Sequence, residues 1–355
     1  MSRPRLRDLG IAIGRLPTGP HNAITDVPGV RVGQVSVIYD KPMVARTGVT
    51  IIAPREGPVS RDRVFAGYHS FNGCGAMTGL LWLEESGQLS SEIALTGTYT
   101  VGTVYDALVR AMQEGYGSHL PVVAETYDGF LNEGPAFHVT QEHVLQAISQ
   151  ASDGPVAEGN VGGGTGMKCH DFKGGIGTAS RIAPARCCNF TVGALVQANQ
   201  GDRIDLMIKG VPVGQEIGPE RVPLPQPGPE EQGSSIIVIL ATDAPLLPFQ
   251  CRRLAQRAVI GLARTGSYGH NWSGDIFLAF ATGNHLTSTT AEPDTVRMLP
   301  NSELDPLFLA AGEAVEEAIL NALCAAETMI GQKGRVVHAL PTDDLLAIMK
   351  HYNRL

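Results

Sequence analysis

The stretch Ser-Ile-Ile-Val-Ile-Leu, residues 235–240, determines how this 355-residue sequence is organised. It is a short uninterrupted run of apolar, mostly β-branched residues, which predicts a strand buried in the protein core. The segment before it, residues 209–234, is rich in proline and glycine and poor in apolar residues, so we predict a flexible linker there. Ser235 therefore lies where a flexible segment meets a rigid strand.

Ser235 would carry two reactive groups, a hydroxyl and a free α-amino group, if the peptide bond before it were cut. An α-amine has a pKa of about 7.7 to 8.0, so near neutral pH it accepts a proton, which an amide nitrogen does not. These are the requirements of an N-terminal nucleophile enzyme. The position alone also fits a serine that simply begins a strand.

Length and composition bound the fold and exclude one class of partner. With 43% apolar and 17% charged residues the chain can bury a large core, and its length allows one large domain or two fused ones. The formal net charge is −8 and no run of Lys or Arg occurs, which argues against binding to nucleic acid.

Cysteine usage and hydropathy predict a cytoplasmic protein. The six cysteines form no Cys-x-x-Cys pair and no zinc-like spacing, so we expect small buried residues in a reducing compartment. The N-terminus lacks the apolar stretch of a signal peptide, and no later apolar run reaches the length of about 18 residues that a membrane span needs.

The remaining elements predict an α/β sandwich. The expected strands are Val44–Ile52, Ile93–Thr98, Pro121–Glu125, Phe190–Gln197, Ser235–Ala241 and Ile276–Ala281. The expected helices are Thr103–Glu114, Glu142–Ala151, Leu247–Arg264, Asp305–Ile330 and Thr342–His351. Strands and helices do not alternate strictly, and several strands follow each other closely, which favours layers with partly antiparallel sheets.

Neither the glycine clusters nor the histidines form a recognisable cofactor or metal motif. The clusters at residues 162–166 and 174–178 lack the spacing of a phosphate-binding loop, so we interpret them as tight loops that let backbones approach, beside a pocket. His138 and His143 are too far apart to bind one metal ion from one helical turn, and His170 and His270 stand apart from any ligand set. The sequence also lacks Gly-x-Ser-x-Gly and His-Glu-x-x-His.

A series of longer motifs is spread along the chain between residues 24 and 277. They are ITDVPGVRVG (24–33), EGNVGGGTGM (158–167), KGGIGTASR (173–181), VGALVQAN (192–199), SIIVILATDAPLLP (235–248), RTGS (264–267) and SGDIF (273–277). Together they resemble the self-processing aminopeptidases, the family of the L-aminopeptidase D-amidase/esterase and the β-peptidyl aminopeptidases.

The resemblance implies a four-layer αββα sandwich, similar to ornithine acetyltransferase and to the N-terminal nucleophile hydrolases. It further implies a single catalytic domain, residues 1–355, which cuts itself at Ser234–Ser235 into subunits 1–234 and 235–355. The family commonly has Gly or Asn before the nucleophile, whereas this sequence has Ser234. The bond Gly233–Ser234 therefore stays an alternative, although the distance to the Ala-Thr-Asp-Ala-Pro motif favours Ser235.

The resemblance also implies roles for individual residues. Ser235 would be the nucleophile, and Ser273 and Asp275 would orient its amine; as residues i and i+2 of a strand they point the same way. Asn199 would stabilise the oxyanion. The simpler interpretations are a Ser-Gly-Asp turn before a strand and an Asn-Gln-Gly turn after one.

Glu125 and Tyr127 match the family's substrate pocket. A carboxylate there suits an aminopeptidase, because the ammonium group of the substrate needs a charge partner once it is desolvated. Tyr127 would add a donor near the reacting carbonyl or form a wall of the pocket. An exposed acidic turn is the alternative for Glu125.

We therefore predict a self-activating aminopeptidase or amidase that acts on short peptides, amino-acid amides or esters through an acyl-enzyme, without metal or organic cofactor. The family's assembly implies a tetramer of cleaved protomers. The alternatives are an acyltransferase like ornithine acetyltransferase, in which the nucleophile is a threonine, and a non-catalytic protein that binds small molecules. Asp275, where some members that cleave β-peptides have Glu, favours α-peptides only weakly, and preference among L-α-, D- and β-amino acids stays open.

Overall fold

The computed structural model describes residues 3–112, 120–226, 234–287 and 293–355. Two mixed sheets lie face to face, with helices on both outer sides. The strands are β1 Arg31–Tyr39, β2 Ala45–Ala53, β3 Arg63–Gly73, β4 Gln88–Leu89, β5 Ile93–Gly97, β6 Val122–Thr126, β7 Lys168–Cys169, β8 Phe172–Lys173, β9 Gly175–Pro184, β10 Asn189–Asn199, β11 Ser234–Thr242, β12 Ser273–Leu286, β13 Met329–Ile330 and β14 Val336–Val337. The helices are α1 Leu80–Ser86, α2 Val101–Met112, α3 Gln141–Ser149, α4 Val213–Glu216, α5 Pro248–Ala255, α6 Ala258–Arg264, α7 Asp305–Ala325 and α8 Thr342–His351.

Three apolar clusters separate four layers. Helices α2 and α3 pack on the outer face of a four-stranded sheet with the order β1-β2-β5-β6. A second cluster fills the space between this sheet and a six-stranded sheet with the order β4-β3-β12-β11-β10-β9. The third lies between the six-stranded sheet and helices α5, α6 and α7. The layers follow the order helix, sheet, sheet, helix, which confirms the predicted αββα sandwich.

Strand β11 lies near the middle of the six-stranded sheet, antiparallel to β10 and parallel to β12. Residues 236, 238 and 240 face the helices, whereas residues 237, 239 and 241 face the other sheet. The strand reads as an unbroken apolar run because both of its faces are buried. The predicted strand Ser235–Ala241 is therefore present, one residue longer at each end.

The predicted linker over residues 209–234 is wrong in its first half. Residues 209–226 include α4, and Val211, Val213 and Ile217 are buried in the outer core. The N–H of Gly214 also donates to the Leu206 carbonyl (3.1 Å). A few well-spaced apolar side chains thus anchor a segment that is rich in proline and glycine. Residues 227–233 lie outside the described residues.

Two predicted helices have different limits. The helix expected to end at Ile330 ends at Ala325, because Ala326 is extended and the side-chain amide of Asn160 binds the backbone N–H and carbonyl of Glu327 (3.0 and 2.8 Å). The helix expected over residues 247–264 is divided into α5 and α6. Strands β1, β3 and β9 were not predicted.

The cysteines only partly match the expectation of burial. Cys74, Cys187 and Cys188 are exposed, since the first follows the end of β3 and the other two lie in the turn between β9 and β10. Cys169, Cys251 and Cys324 are buried as expected.

Among the described helices, none combines the length and the apolar character needed to cross a membrane.

Candidate active site

Ser235 is the second residue of β11 and lies between the two neighbouring strands of its sheet. It pairs with Asn199 of β10 and with Gly274 of β12, and it is 5% exposed. Its Oγ donates to the Ser234 carbonyl oxygen at 2.6 Å and lies 3.3 Å from the Gly274 N–H that donates to it. The hydroxyl is therefore held against the carbonyl of the peptide bond that precedes it.

Ser273 and Asp275 lie at the start of the neighbouring strand β12, on one face as predicted. Ser273 Oγ donates to Asp275 Oδ1 at 2.6 Å, and it lies 3.5 Å from Ser234 Oγ. In the parallel register Ser234 is opposite Ser273, so these side chains point toward the helices, whereas the Ser235 side chain points toward the other sheet. The main-chain nitrogen of Ser235 lies between the two sets of side chains.

Asp275 is a fully buried carboxyl group with little compensation. Burial raises its pKa to about 6, against the opposing effects of the Ser273 hydrogen bond, a hydrogen bond from the Ile236 backbone and the charge of His270. Its second oxygen, Oδ2, has no hydrogen-bond partner among the described residues. Such an oxygen is costly to bury and is suited to accept a hydrogen bond from an added donor.

Asn199 lies at the end of β10, directly opposite Ser235 in the register and on the same face of the sheet. Its Oδ1 accepts the Lys168 N–H (2.8 Å), and its Nδ2 donates to the Tyr127 carbonyl (3.1 Å). The first partner can only donate and the second can only accept, which fixes the orientation of the amide. Because an amide NH2 carries two hydrogens, one N–H is left for another acceptor.

Glu125 lies near the end of strand β6 of the other sheet, and Tyr127 follows that strand. Glu125 is 5% exposed, so the exposed-turn alternative is wrong. Its Oε1 accepts the Ala76 N–H (2.9 Å) and its Oε2 accepts the Thr98 hydroxyl, while burial raises its pKa. The ring of Tyr127 lies 6.3 Å from that of Tyr99, between centroids.

Gly75 lies between the Glu125 side chain and Gly274 of β12, the neighbour of Ser235. A Cβ on this residue would lie 3.4 Å from Glu125 Oε1 and 3.2 Å from the Gly274 Cα. Gly274 in turn contacts Ser235 through its N–H. The six residues expected from the sequence, with Ser234, thus lie around one region at the ends of β6, β10, β11 and β12.

Asp128 was missed from the sequence. It is fully buried next to Tyr127, and burial raises its pKa to about 6, with a further increase from the charge of Glu125. Asn132 Nδ2 donates to Asp128 Oδ2 at 3.3 Å. Its place directly after Tyr127 in the sequence was the only signal, because burial of the side chain is a tertiary property.

His270 is not isolated as expected, since the fold brings it together with Asp202 and Asp205. The ligand-type atoms of the three side chains lie within 4.8 Å of one another, and His270 Nε2 is 3.4 Å from Asp202 Oδ2. The remote position of Asp202 and His270 in the sequence hid this contact. The side chain of Asp202 is 64% exposed, and exposed acidic groups of this kind are common without a bound ion.

The first glycine cluster serves close packing, as expected. Gly162–Gly164 form a single 3-10 turn against β2, and a Cβ on Gly163 would come within 2.2 Å of Gln197 Oε1. This turn leads directly into Met167 and Lys168, whose backbone N–H contacts Asn199.

The comparisons with known proteins agree over nearly the full chain. A family model described as Peptidase family S58 matches residues 22–337. The β-peptidyl aminopeptidase BapA of Sphingosinicella microcystinivorans is 46% identical over 371 residues, covering 99% of this chain and 93% of that protein. An uncharacterized aminopeptidase of Mycobacterium leprae is 29% identical and covers 89% of this chain and 94% of its own length.

Solved structures give the same result. A β-aminopeptidase from a Burkholderia species is 50% identical with a TM-score of 0.92, covering 98% of this chain and 99% of that one. The L-aminopeptidase D-Ala-esterase/amidase from Ochrobactrum anthropi is 44% identical with a TM-score of 0.91, covering 99% and 100%. The latter is described as a variant of the N-terminal nucleophile hydrolase fold.

Proposed function

This chain belongs to peptidase family S58 and is a hydrolase, and from this premise we propose that it is an aminopeptidase that generates its own nucleophile, Ser235, by cutting its backbone. The observation that carries the proposal is the contact of 2.6 Å between the Ser235 hydroxyl and the carbonyl oxygen of Ser234. The acyltransferase and the non-catalytic binding protein are not favoured by the family assignment.

In the self-cleavage step, Ser235 Oγ attacks the carbonyl carbon of Ser234. A C–O bond forms, the C–N bond to Ser235 breaks, and the hydroxyl proton goes to the departing nitrogen, which leaves an ester. Water then opens the ester and releases the Ser234 carboxylate together with the free Ser235 hydroxyl and amine. The subunits would be residues 1–234 and 235–355. The orientation of Ser235 toward the Ser234 carbonyl supports this bond over Gly233–Ser234.

In the mature enzyme the Ser235 amine would act as the general base for its own hydroxyl. In the uncut chain Ser234 is the residue opposite Ser273. Its departure after cleavage exposes the new amine to Ser273 and Asp275, which would orient it. A transiently protonated amine would also compensate the buried Asp275 carboxylate. The remaining N–H of Asn199 would donate to the oxyanion, because Asn199 lies opposite Ser235 on the same face.

Glu125 would bind the ammonium group of the substrate. Within the described residues its carboxylate forms no ion pair, and its pKa is raised by burial. A cation that enters the pocket would therefore stabilise the ionised carboxylate. Tyr127 would form a wall of this pocket. The relatives are named as β-peptidyl aminopeptidase, β-aminopeptidase and L-aminopeptidase D-Ala-esterase/amidase, so the proposed substrates are short peptides, amino-acid amides or esters with a free N-terminal amine.

We extend the proposal to assembly and location. The exposed side chain of Phe249 lines a cavity of ≈ 550 Å³ on the outside of β3 and α5, and Leu81 and Trp82 of α1 are also exposed; these apolar side chains suit contacts in a homotetramer of cleaved protomers. All six cysteines are free, which suits the reducing cytoplasm.

The test is intact-protein mass spectrometry under denaturing conditions, combined with hydrolysis of an aminoacyl p-nitroanilide. We expect two wild-type fragments, the smaller beginning at Ser235, and an uncut, inactive Ser235→Ala. Ser234→Ala is the matched control and should still cut. An uncut wild type, or a Ser235→Ala variant that hydrolyses the substrate, would refute the proposal. Acetyl transfer from acetylornithine to glutamate would instead support the acyltransferase.

A further inference from the structure

Lys173 is a buried cation that the proposed reaction does not yet use. It ends β8, its side chain is fully buried, and within the described residues it forms no ion pair with a carboxylate. Its Nζ donates to the carbonyl oxygens of Met167 (2.7 Å) and Gly174 (2.8 Å), and lies 3.4 Å from that of Gly164. Burial lowers the pKa of Lys173 to about 7. Burying an ammonium group is costly, and a neutral side chain could have satisfied these carbonyls.

The Met167 carbonyl connects Lys173 to Asn199 through one peptide group. The carbonyl that accepts from Lys173 Nζ and the N–H that donates to Asn199 Oδ1 belong to the same planar unit, Met167–Lys168. Gly174 N–H also donates to the Met167 carbonyl, at 3.0 Å. The ammonium group, the peptide and the Asn199 amide therefore form one hydrogen-bonded series that ends at Nδ2.

The hydrogen bonds of this series all polarise in one direction, from the Lys173 ammonium group toward Asn199 Nδ2. A positive charge on the carbonyl side of a peptide polarises its N–H, which makes it a better donor, and the same argument applies to the Asn199 amide. The Asn199 N–H groups become more acidic and hold their orientation. These are the properties that a donor to a developing oxyanion needs, because it is then oriented before the reaction begins.

We propose that Lys173 is a positioning residue that strengthens Asn199 as the oxyanion donor through the Met167–Lys168 peptide. The inference rests on the proposed function, since it requires Asn199 to face the reacting carbonyl. Lys173 touches neither substrate nor nucleophile, and its effect passes entirely through Asn199. Its loss therefore reduces kcat and leaves KM unchanged.

The experiment is a double-mutant cycle of Lys173→Met and Asn199→Ala, with kcat and KM measured per cleaved molecule. Lys173→Met alone should lower kcat about tenfold at constant KM. In the Asn199→Ala background, itself about 10²- to 10³-fold slower, Lys173→Met should change kcat less than twofold. A kcat within twofold of wild type for Lys173→Met, or the same factor in both backgrounds, would overturn the proposal.

Two further variants separate this effect from loss of stability. Leu323→Ala removes a fully buried side chain of α7 and should lower the melting temperature without changing kcat. If Lys173→Met yields no folded protein, Lys173→Gln decides the matter, because it keeps an N–H donor but not the charge; a wild-type kcat for it refutes the proposal. Where a variant cuts too slowly to yield mature enzyme, the rate of self-cleavage of freshly purified precursor is measured instead of kcat. A reduced rate then supports the proposal, and a wild-type rate overturns it.

The two proposals fail in different ways. If wild type does not cut itself, or if Ser235→Ala hydrolyses substrate, the proposed function is wrong. If wild type cuts and hydrolyses normally while the Lys173 variants match it, only the role of Lys173 is wrong.

Discussion

Two groups of buried carboxyl side chains in this protein differ in whether a cation faces them. Between β9 and α7, Glu313 and Glu317 meet arginine side chains. Arg181 Nη2 lies 2.6 Å from Glu317 Oε2 and its Nε lies 3.2 Å from Glu313 Oε2, while Arg7 Nε lies 2.7 Å from Glu317 Oε1. Burial alone would raise the pKa of Glu317, but these arginines hold it below its ordinary value.

Around Ser235 the carboxyl groups lack such partners. Asp275, Glu125 and Asp128 are all buried, and within the described residues none of them forms an ion pair. Burial raises the pKa of each, to about 6 for Asp275 and Asp128. The free-energy cost of burying each of these carboxylates would be lower if a positive group were added beside it.

The contrast separates structural from functional use of buried charge. In the Arg181 region Glu313 and Glu317 are paired with arginines of the uncut chain, and these pairs hold N-terminal residues and β9 against α7. In the Ser235 region the buried carboxylates have no such partner among the described residues of the uncut chain. The proposed function provides two positive groups that would compensate them, the new α-amine of Ser235 and the ammonium group of the substrate. Uncompensated burial of this kind is a general feature of active sites.

Glu317→Gln tests the compensated region and has the largest expected effect on stability. It leaves Arg181 and Arg7 with one neutral partner, which should lower the free energy of unfolding by about 3 to 5 kcal/mol. Hydrolysis per cleaved molecule should not change. Denaturant unfolding at pH 7.5 measures the loss.

The control for this prediction lies on the same helix. Glu316 pairs at 3.3 Å with Arg264, whose side chain is 44% exposed, so Glu316→Gln should cost less than about 1 kcal/mol. If Glu317→Gln and Glu316→Gln lowered the free energy of unfolding equally, pairing with buried arginines would not be what distinguishes the Arg181 region.

Glu125→Gln tests the uncompensated region through its substrate. Removing the carboxylate removes the partner of the substrate ammonium, so KM for an aminoacyl p-nitroanilide should rise about 100-fold, with a smaller change in kcat. Self-cleavage needs no free ammonium and should proceed at the wild-type rate. Steady-state kinetics and intact mass measure both effects.

Glu84→Gln is the control, since Glu84 accepts a hydrogen bond from Tyr68 (3.0 Å) outside the site, and its KM should not change. An unchanged KM for Glu125→Gln would remove Glu125 from the substrate pocket.

The sequence predicted the structure best where a residue type is typical of a single kind of local structure. Strand β11 was predictable because a short, continuous run of β-branched residues is typical of a buried strand. Strand β9 was not, since Gly-Ile-Gly-Thr-Ala-Ser reads as a loop. Gly177 is there because α7 crosses closely: a Cβ on this residue would lie 1.9 Å from the Ala318 carbonyl oxygen. That reason exists only in the folded protein.

The candidate site shows the same limit. From the residues alone, Ser235 was the only candidate, and Ser273, Asp275, Asn199, Glu125 and Tyr127 were reached through resemblance to a family. Asp128 and Lys173 were missed by both routes, because their interest lies in burial without a counter-charge. Motifs report residue identity, whereas compensation of charge depends on which strands meet.

Asp275→Asn, made in a Ser235→Ala background so that both chains stay uncut, should stabilise the protein, the opposite sign to Glu317→Gln. The pKa of Asp275 is about 6 when folded and about 3.9 when unfolded, so between these values the folded chain binds more protons. Stability from this group therefore falls as pH rises from about 4 to 6, and above pH 6 the ionised carboxyl costs on the order of 2 kcal/mol. Asparagine removes that cost.

The gain should appear in denaturant unfolding at pH 7.5 and vanish near pH 4, where Asp275 is already protonated. Glu317 behaves in the reverse manner, because a lowered folded pKa gives stability that is present above about pH 4.3 and lost as pH falls. A loss of stability for Asp275→Asn at pH 7.5 would mean that its carboxylate already has a partner in the uncut chain. The Ser235 amine would then not be the group that compensates it, and the distinction between the two regions would fail at the residue on which it most depends.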